Sequence, residues 1–230
     1  MQKHYRSWTT AVACCLLAAC IGCNGTTPDE PPNGPDNGAE PGDPGAEPTG
    51  GNGATPAAEP APPPTVPEVA LMEADRAKCK VQVDDAMPAG ELSDLAGQVH
   101  SLPALYGAKL TVIHLWQSGA TAFSAMAAED ALEFLAKDVA EPFAEQGVAV
   151  LGVNVGDSAE AAQKHLETAQ AKFPNFLDPN GVYFAQVATE KLPRTYLIGA
   201  DGKIIWFDLE FSEITRAALR QAIEVKLKEE

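Results

Sequence analysis

The sequence predicts an α/β fold in which helices flank a central mixed sheet. Two long apolar runs, Leu110–Trp116 and Val148–Val155, are typical of strands that are buried on both faces. An alanine-rich helical pattern separates them, and a strand, a helix and a second strand in this order form a parallel unit. Two shorter strand patterns on either side of Asp201 and Gly202 then predict an antiparallel hairpin, which makes the sheet mixed.

The elements before the first long strand are short. Residues 69–77 are expected to form a short helix or lead-in, and residues 80–83 and 99–102 a pair of N-terminal strands. Residues 102–106 have the pattern of a helical turn. The roughly 160 residues from position 71 onward are enough for one hydrophobic core and too few for two.

The long helix after the first strand has recognisable start and stop signals. Thr121 or Ser118 is expected to cap its N-terminus, because hydroxyl side chains accept hydrogen bonds from the first free N–H groups of a helix. Pro142 is expected to break or kink the helix near its end, and Gly147 to stop it.

The second half of the domain alternates helices with short strands. A helix capped by Asp157 or Ser158 is expected to reach about Lys172. The remaining expected elements are an extended piece at residues 173–177, a turn at 178–181, a short helix at 182–187, the hairpin strands at 195–198 and 203–207, and a closing amphipathic helix at 211–228.

Residues 1–20 are predicted to be a targeting segment and not part of a domain. Lys3 and Arg6 precede an uncharged apolar run of about 15 residues, which is shorter than the ~20 that a helix needs to cross a membrane. Residues 17–20, LAAC, resemble the lipobox of bacterial lipoproteins, whose cysteine is acylated after cleavage.

Cys20 is therefore the predicted lipidation site, and Cys23 is the alternative. The resemblance implies a protein anchored by its acyl chains in the lipid bilayer of the cell envelope, facing the periplasm. Ile21 stands directly after Cys20, where an aspartate would resemble an inner-membrane retention signal. We therefore expect the outer membrane over the inner membrane.

Residues 21–70 are predicted to be a disordered acidic tether. Residues 24–70 contain 13 Pro, 8 Gly, eight acids and no Lys or Arg, so they cannot bury enough apolar surface to fold. Residues 71–230 are predicted to be the folded domain, and they hold 24 acids against 14 bases. These negative charges repel nucleic acid and anionic headgroups, so we expect neither DNA nor RNA as a partner.

Five motifs of the folded part stand out. They are GQVHSLPAL at residues 97–105, LTVIHLW at 110–116, GVAVLGVNV at 147–155, FLDPNG at 176–181, and LPRTYLI with DGKI at 192–198 and 201–204. These motifs resemble those of TlpA-like thioredoxins and redoxins, and they occur in the same order. The resemblance covers about 140 residues from Met87 and implies a thioredoxin-like fold. It also implies that Pro193 is a cis proline facing the active site.

The departure from this family lies in the turn after Trp116. Redox-active members carry W-C-x-x-C there, and the first cysteine attacks disulfides as a thiolate favoured by the helix N-terminus. Without a gap, the two cysteine positions are Ala120 and Phe123; with a two-residue deletion they are Ser118 and Thr121. Neither pair holds sulfur, so neither can form a disulfide, and we expect this site to be vestigial and redox-inactive.

Other residues are candidates to take over the role of the missing cysteines. Cys79, between two lysines, is the only cysteine of the folded part and is a possible free thiol. His114 stands where the resemblance implies a buried Asp or Asn used for proton transfer. Trp116, Pro193 and His114 are expected to mark a groove, with Arg194 adding a cation at its rim that could select an acidic partner. No metal-ligand spacing is present, and we expect no cofactor.

The sequence thus predicts a membrane-tethered, extracytoplasmic thioredoxin-like domain that lacks thiol–disulfide activity. Its expected role is binding or scaffolding, and its expected partner is an envelope protein or an extended peptide segment in the groove. The alternative is a thiol–disulfide oxidoreductase or a redoxin-type antioxidant that uses Cys79 or a thiol of a partner. Fold alone does not decide between them.

Overall fold

The computed structural model describes residues 63–229. The predicted signal, both lipidation candidates and most of the predicted tether lie outside this range. Within it, seven strands form one sheet: β1 (Glu91–Asp94), β2 (Val99–Ser101), β3 (Leu110–Trp116), β4 (Val148–Val155), β5 (Asn175–Asp178), β6 (Arg194–Gly199) and β7 (Ile204–Asp208). The helices of the same range are α1 (Glu73–Arg76), α2 (Ala122–Phe134), α3 (Glu141–Phe143), α4 (Ala159–Thr168), α5 (Phe184–Val187) and α6 (Glu213–Glu229).

The sheet is mixed, as the sequence predicts. Its strand order is β2-β1-β5-β4-β3-β6-β7, and β3 is parallel to β4 but antiparallel to β6. In the register, Trp116 lies opposite Asn154 and Leu115 lies opposite Arg194. The end of β3 therefore meets the end of β4 and the start of β6 at one edge of the sheet, where α/β folds place their ligand sites.

Helices and the N-terminal segment cover the two faces of the sheet. Side chains alternate along β3, so Val112 and Trp116 pack with α2, α4 and α6, while Ile113 and Leu115 pack on the opposite face. That face is covered by the residues before β1, by the 3₁₀ turn Leu102–Leu105 and by α5. Because both faces are buried, every residue of β3 is buried.

The long helical segment starts and stops as predicted. Thr121 caps α2, and Gly147, with φ of +86°, ends the helical path in the left-handed conformation. Pro142 does not end it, since a π-helical turn, Leu135–Ala140, precedes the proline and the chain stays helical to Gln146. The wider turn accommodates a proline, which has no N–H to donate.

Two predicted boundaries are wrong for local reasons. Residues 80–83 form no strand, because the Gln82 N–H binds the Asp85 carboxylate and Asp84 adopts a φ of +72°, which turns the chain; β1 is the partner of β2 instead. Helix α4 is capped by Ser158 and ends at Thr168, four residues before Lys172. It ends there because Gln170 has a φ of +54° and the Ala171 N–H closes back onto a carbonyl of the last turn.

The last residues of the predicted tether contact the domain. The Gln221 side chain of α6 donates to the carbonyl of Thr65 at 2.8 Å, and Val66 and Val69 pack against the core while partly buried. Thr65 therefore belongs to the described part of the chain that contacts the domain.

Candidate functional site

A groove of about 350 Å³ lies at the edge where β3 ends. The β3–α2 turn forms one wall, and the loops before β6 and after β7 form the other. We define the groove by its apolar lining residues Trp116, Phe123, Leu192, Pro193 and Phe211. Its position is the one that the sequence predicts for the vestigial site.

Trp116 is fixed at the end of β3 by a residue of β5, the strand beyond β4. Its indole N–H donates to the Asn175 side-chain oxygen at 3.2 Å, and the amide of Asn175 donates to the Phe173 carbonyl at 2.9 Å. Gly152 on β4 leaves room for this amide, since a Cβ atom there would collide with the Asn175 oxygen. The indole is 1% exposed and is a rigid part of the groove.

The turn after Trp116 is tied to the end of β4. Both the N–H and the hydroxyl of Ser118 donate to one carboxylate oxygen of Asp157 at 2.7 Å. Asn154, the last-but-one residue of β4, donates to the same oxygen at 2.7 Å. The Ser118 hydroxyl is therefore a hydrogen-bond donor to a carboxylate. The turn is held in place by these hydrogen bonds and not by a covalent link.

The next residues form the N-terminal cap of α2. The Ser124 N–H donates to the Thr121 hydroxyl at 3.1 Å, and the Thr121 N–H donates to the Ser124 hydroxyl at 3.0 Å. Gly119, with φ of +78°, brings the chain close to Ser124, where a Cβ atom would collide with the hydroxyl. Ala120 and Phe123 are exposed on either side of the cap, and Phe123 is 83% exposed.

These contacts define what the turn can do chemically. The two hydroxyls that could take the cysteine positions, Ser118 and Thr121, are used to anchor the turn and to cap the helix. Neither is hydrogen-bonded to an imidazole or amine of the described residues that could activate it. The arrangement offers an apolar groove with an exposed phenyl ring at its rim, which suits binding.

The Leu192–Pro193 peptide bond is cis, as the resemblance implies. Pro193 lines the groove opposite the β3–α2 turn, and Lys191 beside it has a φ of +72°. Lys191 also reaches across to the N-terminal segment, where its ammonium lies 2.9 Å from the carboxylate of Asp75. The side-chain hydrogen bond from Lys191 lowers the pKa of Asp75.

His114 is buried beneath the groove and does not line it, which corrects its predicted place among the groove residues. Its Nδ1 lies 2.9 Å from the Thr195 hydroxyl, and its Nε2 has no hydrogen-bond partner among the described residues. The ring of Phe211 packs edge-to-face with the imidazole at 5.2 Å. Burial lowers the pKa of His114 to about 3, so the imidazole is neutral at physiological pH.

Arg194 is not at the groove rim, so the prediction of a cation there is wrong. Its side chain is 0% exposed and turns under the sheet, where the guanidinium donates to the carbonyls of Glu190 and Lys191. It also contacts the Tyr196 hydroxyl at 3.4 Å and the sulfur of Cys79 at 3.3 Å. Because side chains alternate along a strand, Arg194 shares the buried face of Tyr196.

Cys79 is partly buried and is not among the residues that line the groove. Its thiol donates to the carbonyl of Asp75 at 3.4 Å, and its backbone forms an isolated bridge with Ala188. Within residues 63–229 it is the free cysteine, and no cluster of His, Cys, Asp or Glu in that range is arranged to hold a metal ion.

Several residues of the site are not predicted from the sequence. The sequence predicts Asp157 only as a helix cap and Phe211 only as the start of the closing helix, and it does not point to Lys191 or Glu210. A signal for Asp157 exists, because parallel strands β3 and β4 end at the same edge and polar residues just after them can meet. Residues 209–211 follow the β6–β7 hairpin in the sequence. No local sequence pattern predicts that their side chains line the groove.

The family can be assigned from a comparison with family models. The model of the AhpC/TSA family matches residues 83–207, more than half of the chain and all of the strands from β1 to β6. The chain belongs to the AhpC/TSA family. The match includes the β3–α2 turn, and in this AhpC/TSA chain that turn holds no cysteine.

Solved structures of three other proteins show the same fold. A candidate protein disulfide isomerase from Bacteroides thetaiotaomicron is 21% identical, with a TM-score of 0.58 over 66% of this chain and 93% of that one. A candidate thiol:disulfide interchange protein DsbE from Chlorobium tepidum is 22% identical, with a TM-score of 0.53 over 64% and 99% of the two chains. Peroxidoxin BcpB from Mycobacterium tuberculosis is 22% identical, with a TM-score of 0.51 over 62% and 97%.

These identities support the thioredoxin-like fold of this AhpC/TSA chain and leave its activity open. No curated protein matches the chain significantly. In the part of the chain that the structure describes, no helix is both long and apolar enough to cross a membrane.

Proposed function

We propose that this chain is a membrane-tethered, extracytoplasmic AhpC/TSA protein that binds an extended protein segment in the groove. In this proposal the β3–α2 turn carries out neither thiol–disulfide exchange nor peroxide reduction. The observation that supports it best is the combination of a formed groove with an exposed Phe123 and with hydroxyls held in structural hydrogen bonds. An exposed aromatic ring beside an apolar groove is typical of a peptide-binding surface.

The groove is tested with short synthetic peptides that carry one Leu or Phe in a Gly, Ser and Thr background. We expect Phe123→Ser to weaken binding by about tenfold, since it removes an aromatic anchor. Val182→Ser is the matched control, because Val182 is 67% exposed and does not line the groove. Fluorescence anisotropy with the purified chain gives both affinities. Equal weakening by the two substitutions would mean that binding does not use the groove.

The absence of thiol chemistry in the turn predicts that the chain does not accelerate the reduction of insulin by dithiothreitol. We also expect no peroxidase activity above buffer, because Ser118, Ala120, Thr121 and Phe123 carry no sulfur. Insulin turbidity and peroxide consumption are the measurements, and Cys79→Ser should leave both traces unchanged.

A second candidate function rests on Cys79. The guanidinium of Arg194 lies 3.3 Å from its sulfur, and a positive charge beside a sulfur is one of the features that activate cysteines. Residues 63–229 hold no second cysteine, so the second thiol would come from outside this part of the chain, and we propose a thiol of a partner. Activity in the assays above that disappears in Cys79→Ser would establish this candidate and remove the first.

Tethering is proposed through acylation of Cys20 in the outer membrane, with Cys23 as the alternative. Cys20→Ala is expected to abolish incorporation of labelled palmitate and to leave an uncleaved precursor, because the acylated cysteine is required for processing. Cys23→Ala is the matched control and should be processed normally. If Cys23→Ala blocks labelling and Cys20→Ala does not, the site is Cys23. Fractionation of the membranes by density tests the outer-membrane location.

A further inference from the structure

The groove continues into a second hollow. A cavity of about 410 Å³ lies beside it, and the two share Lys191, Leu209 and Glu210 as lining residues. We call it the acidic cavity and define it by Glu68, Asp208 and Glu210 together with the apolar Trp206, Leu209 and Ile214. Because the walls are shared, a chain that lies in the groove can extend into the acidic cavity along one surface.

The charge of the acidic cavity is negative. Lys191, the cation among its described lining residues, is already paired with Asp75 at 2.9 Å. Glu68, Asp208 and Glu210 form no ion pair with any residue from 63 to 229. The half-buried Asp208 is held by the Leu209 N–H at 2.6 Å, and burial raises its pKa.

Part of the wall of the acidic cavity is apolar. Leu209 and Trp206 are buried beneath it, while Ile214 is 81% exposed at its edge. A Lys or Arg side chain fits such a site, since its aliphatic stem covers apolar surface while its charged end meets carboxylates. A carboxylate-bearing ligand would instead meet carboxylates of its own sign.

We propose that the groove and the acidic cavity form one docking surface for an extended protein segment of a partner that carries an apolar and a basic side chain. The apolar side chain lies in the groove against Trp116 and Phe211, and the basic one lies between Asp208 and Glu210. This proposal rests on the proposed function and adds the chemistry of the partner. It reverses the preference for an acidic partner, because Arg194 is buried and Glu210 stands at the rim. The excess of acids over bases in residues 71–230 attracts the same partner at long range.

The test uses the purified full chain and three sets of short synthetic peptides. Every peptide has one Leu, and at several spacings from it the sets carry Lys, Gln or Glu. At 0.15 M salt, we expect the best Lys peptide to bind about tenfold more tightly than its Gln and Glu counterparts. Glu210→Gln with Asp208→Asn should remove this difference, whereas the exposed Glu160→Gln on α4 is the matched control and should preserve it.

The outcomes separate this inference from the proposed function. If Lys, Gln and Glu peptides bind equally and Phe123→Ser weakens all of them, the groove binds peptides and the basic preference is wrong. If Glu160→Gln reduces the affinity for the Lys peptide as much as the double variant does, the attraction comes from the overall negative charge of the domain. The inference is then overturned. Binding of none of the peptides overturns both proposals. A dimer in sedimentation that Phe123→Ser dissociates would assign the surface to a second copy of the chain and would also overturn the inference.

Discussion

Replacing Arg194 with Glu is expected to destabilise the domain by about 3–5 kcal/mol, a large part of the stability of an ordinary domain. The guanidinium is completely buried and donates to the carbonyls of Glu190 and Lys191, with the Tyr196 hydroxyl and the Cys79 sulfur as further contacts. A carboxylate in this place would face the two carbonyl oxygens, and these carbonyls would lose the donors of the guanidinium. Urea unfolding of the purified chain measures the loss.

Two further variants show that the effect belongs to the guanidinium. Arg194→Lys keeps the charge but loses the planar set of donors, so we expect an intermediate loss of about 1–3 kcal/mol. Lys172→Glu makes the same charge change at an exposed position and should stay within about 0.5 kcal/mol of the wild type. If the Arg194→Glu variant is as stable as the wild type, the side chain at position 194 is free to leave its buried place. Arg194 could then supply a cation at the groove rim.

The strands that hold the site could be predicted from the sequence because their formation depends on residues that are close together in the chain. Both faces of β3 and β4 are buried, so each strand is an uninterrupted apolar run bounded by turn residues. The cap at Thr121 and the stop at Gly147 also depend on a few neighbouring residues. The place of the groove follows from the strand ends, where Trp116 closes β3 and Pro193 precedes β6.

Which side chains lie at the groove depends on contacts between residues that are distant in sequence. A single sequence does not display these contacts. Arg194 is held under the sheet by the carbonyls of Glu190 and Lys191, but its contact with Cys79 joins residues 115 positions apart. A period of two along β6 would have placed Arg194 on the face of Tyr196, but the burial of that face depends on the N-terminal segment that covers it. At residues 80–83 the local turn chemistry of Asp84 and Asp85 outweighs an apolar alternation that is typical of a strand.

Acidification from pH 7 to pH 4.5 is expected to remove about 2–3 kcal/mol of stability through His114 alone. Burial lowers the pKa of His114 to about 3 in the folded chain, whereas an unfolded histidine has a pKa of about 6.5. Between these values the unfolded chain binds a proton at this position and the folded chain does not, so falling pH favours unfolding. Above about pH 6.5 both states are neutral and the contribution vanishes.

The matched variant is His114→Asn, whose amide keeps a partner for the Thr195 hydroxyl and does not titrate. Carboxylates change the stability of both proteins in the same way, so the difference between the two unfolding curves isolates the imidazole. We expect that difference to change by about 1.4 kcal/mol per pH unit below pH 6. If the difference in stability between the two proteins does not change with pH, His114 is protonated readily in the folded chain. In this structure Nε2 has no acceptor among the described residues, so protonation would require Phe211 to move away and admit water beneath the groove.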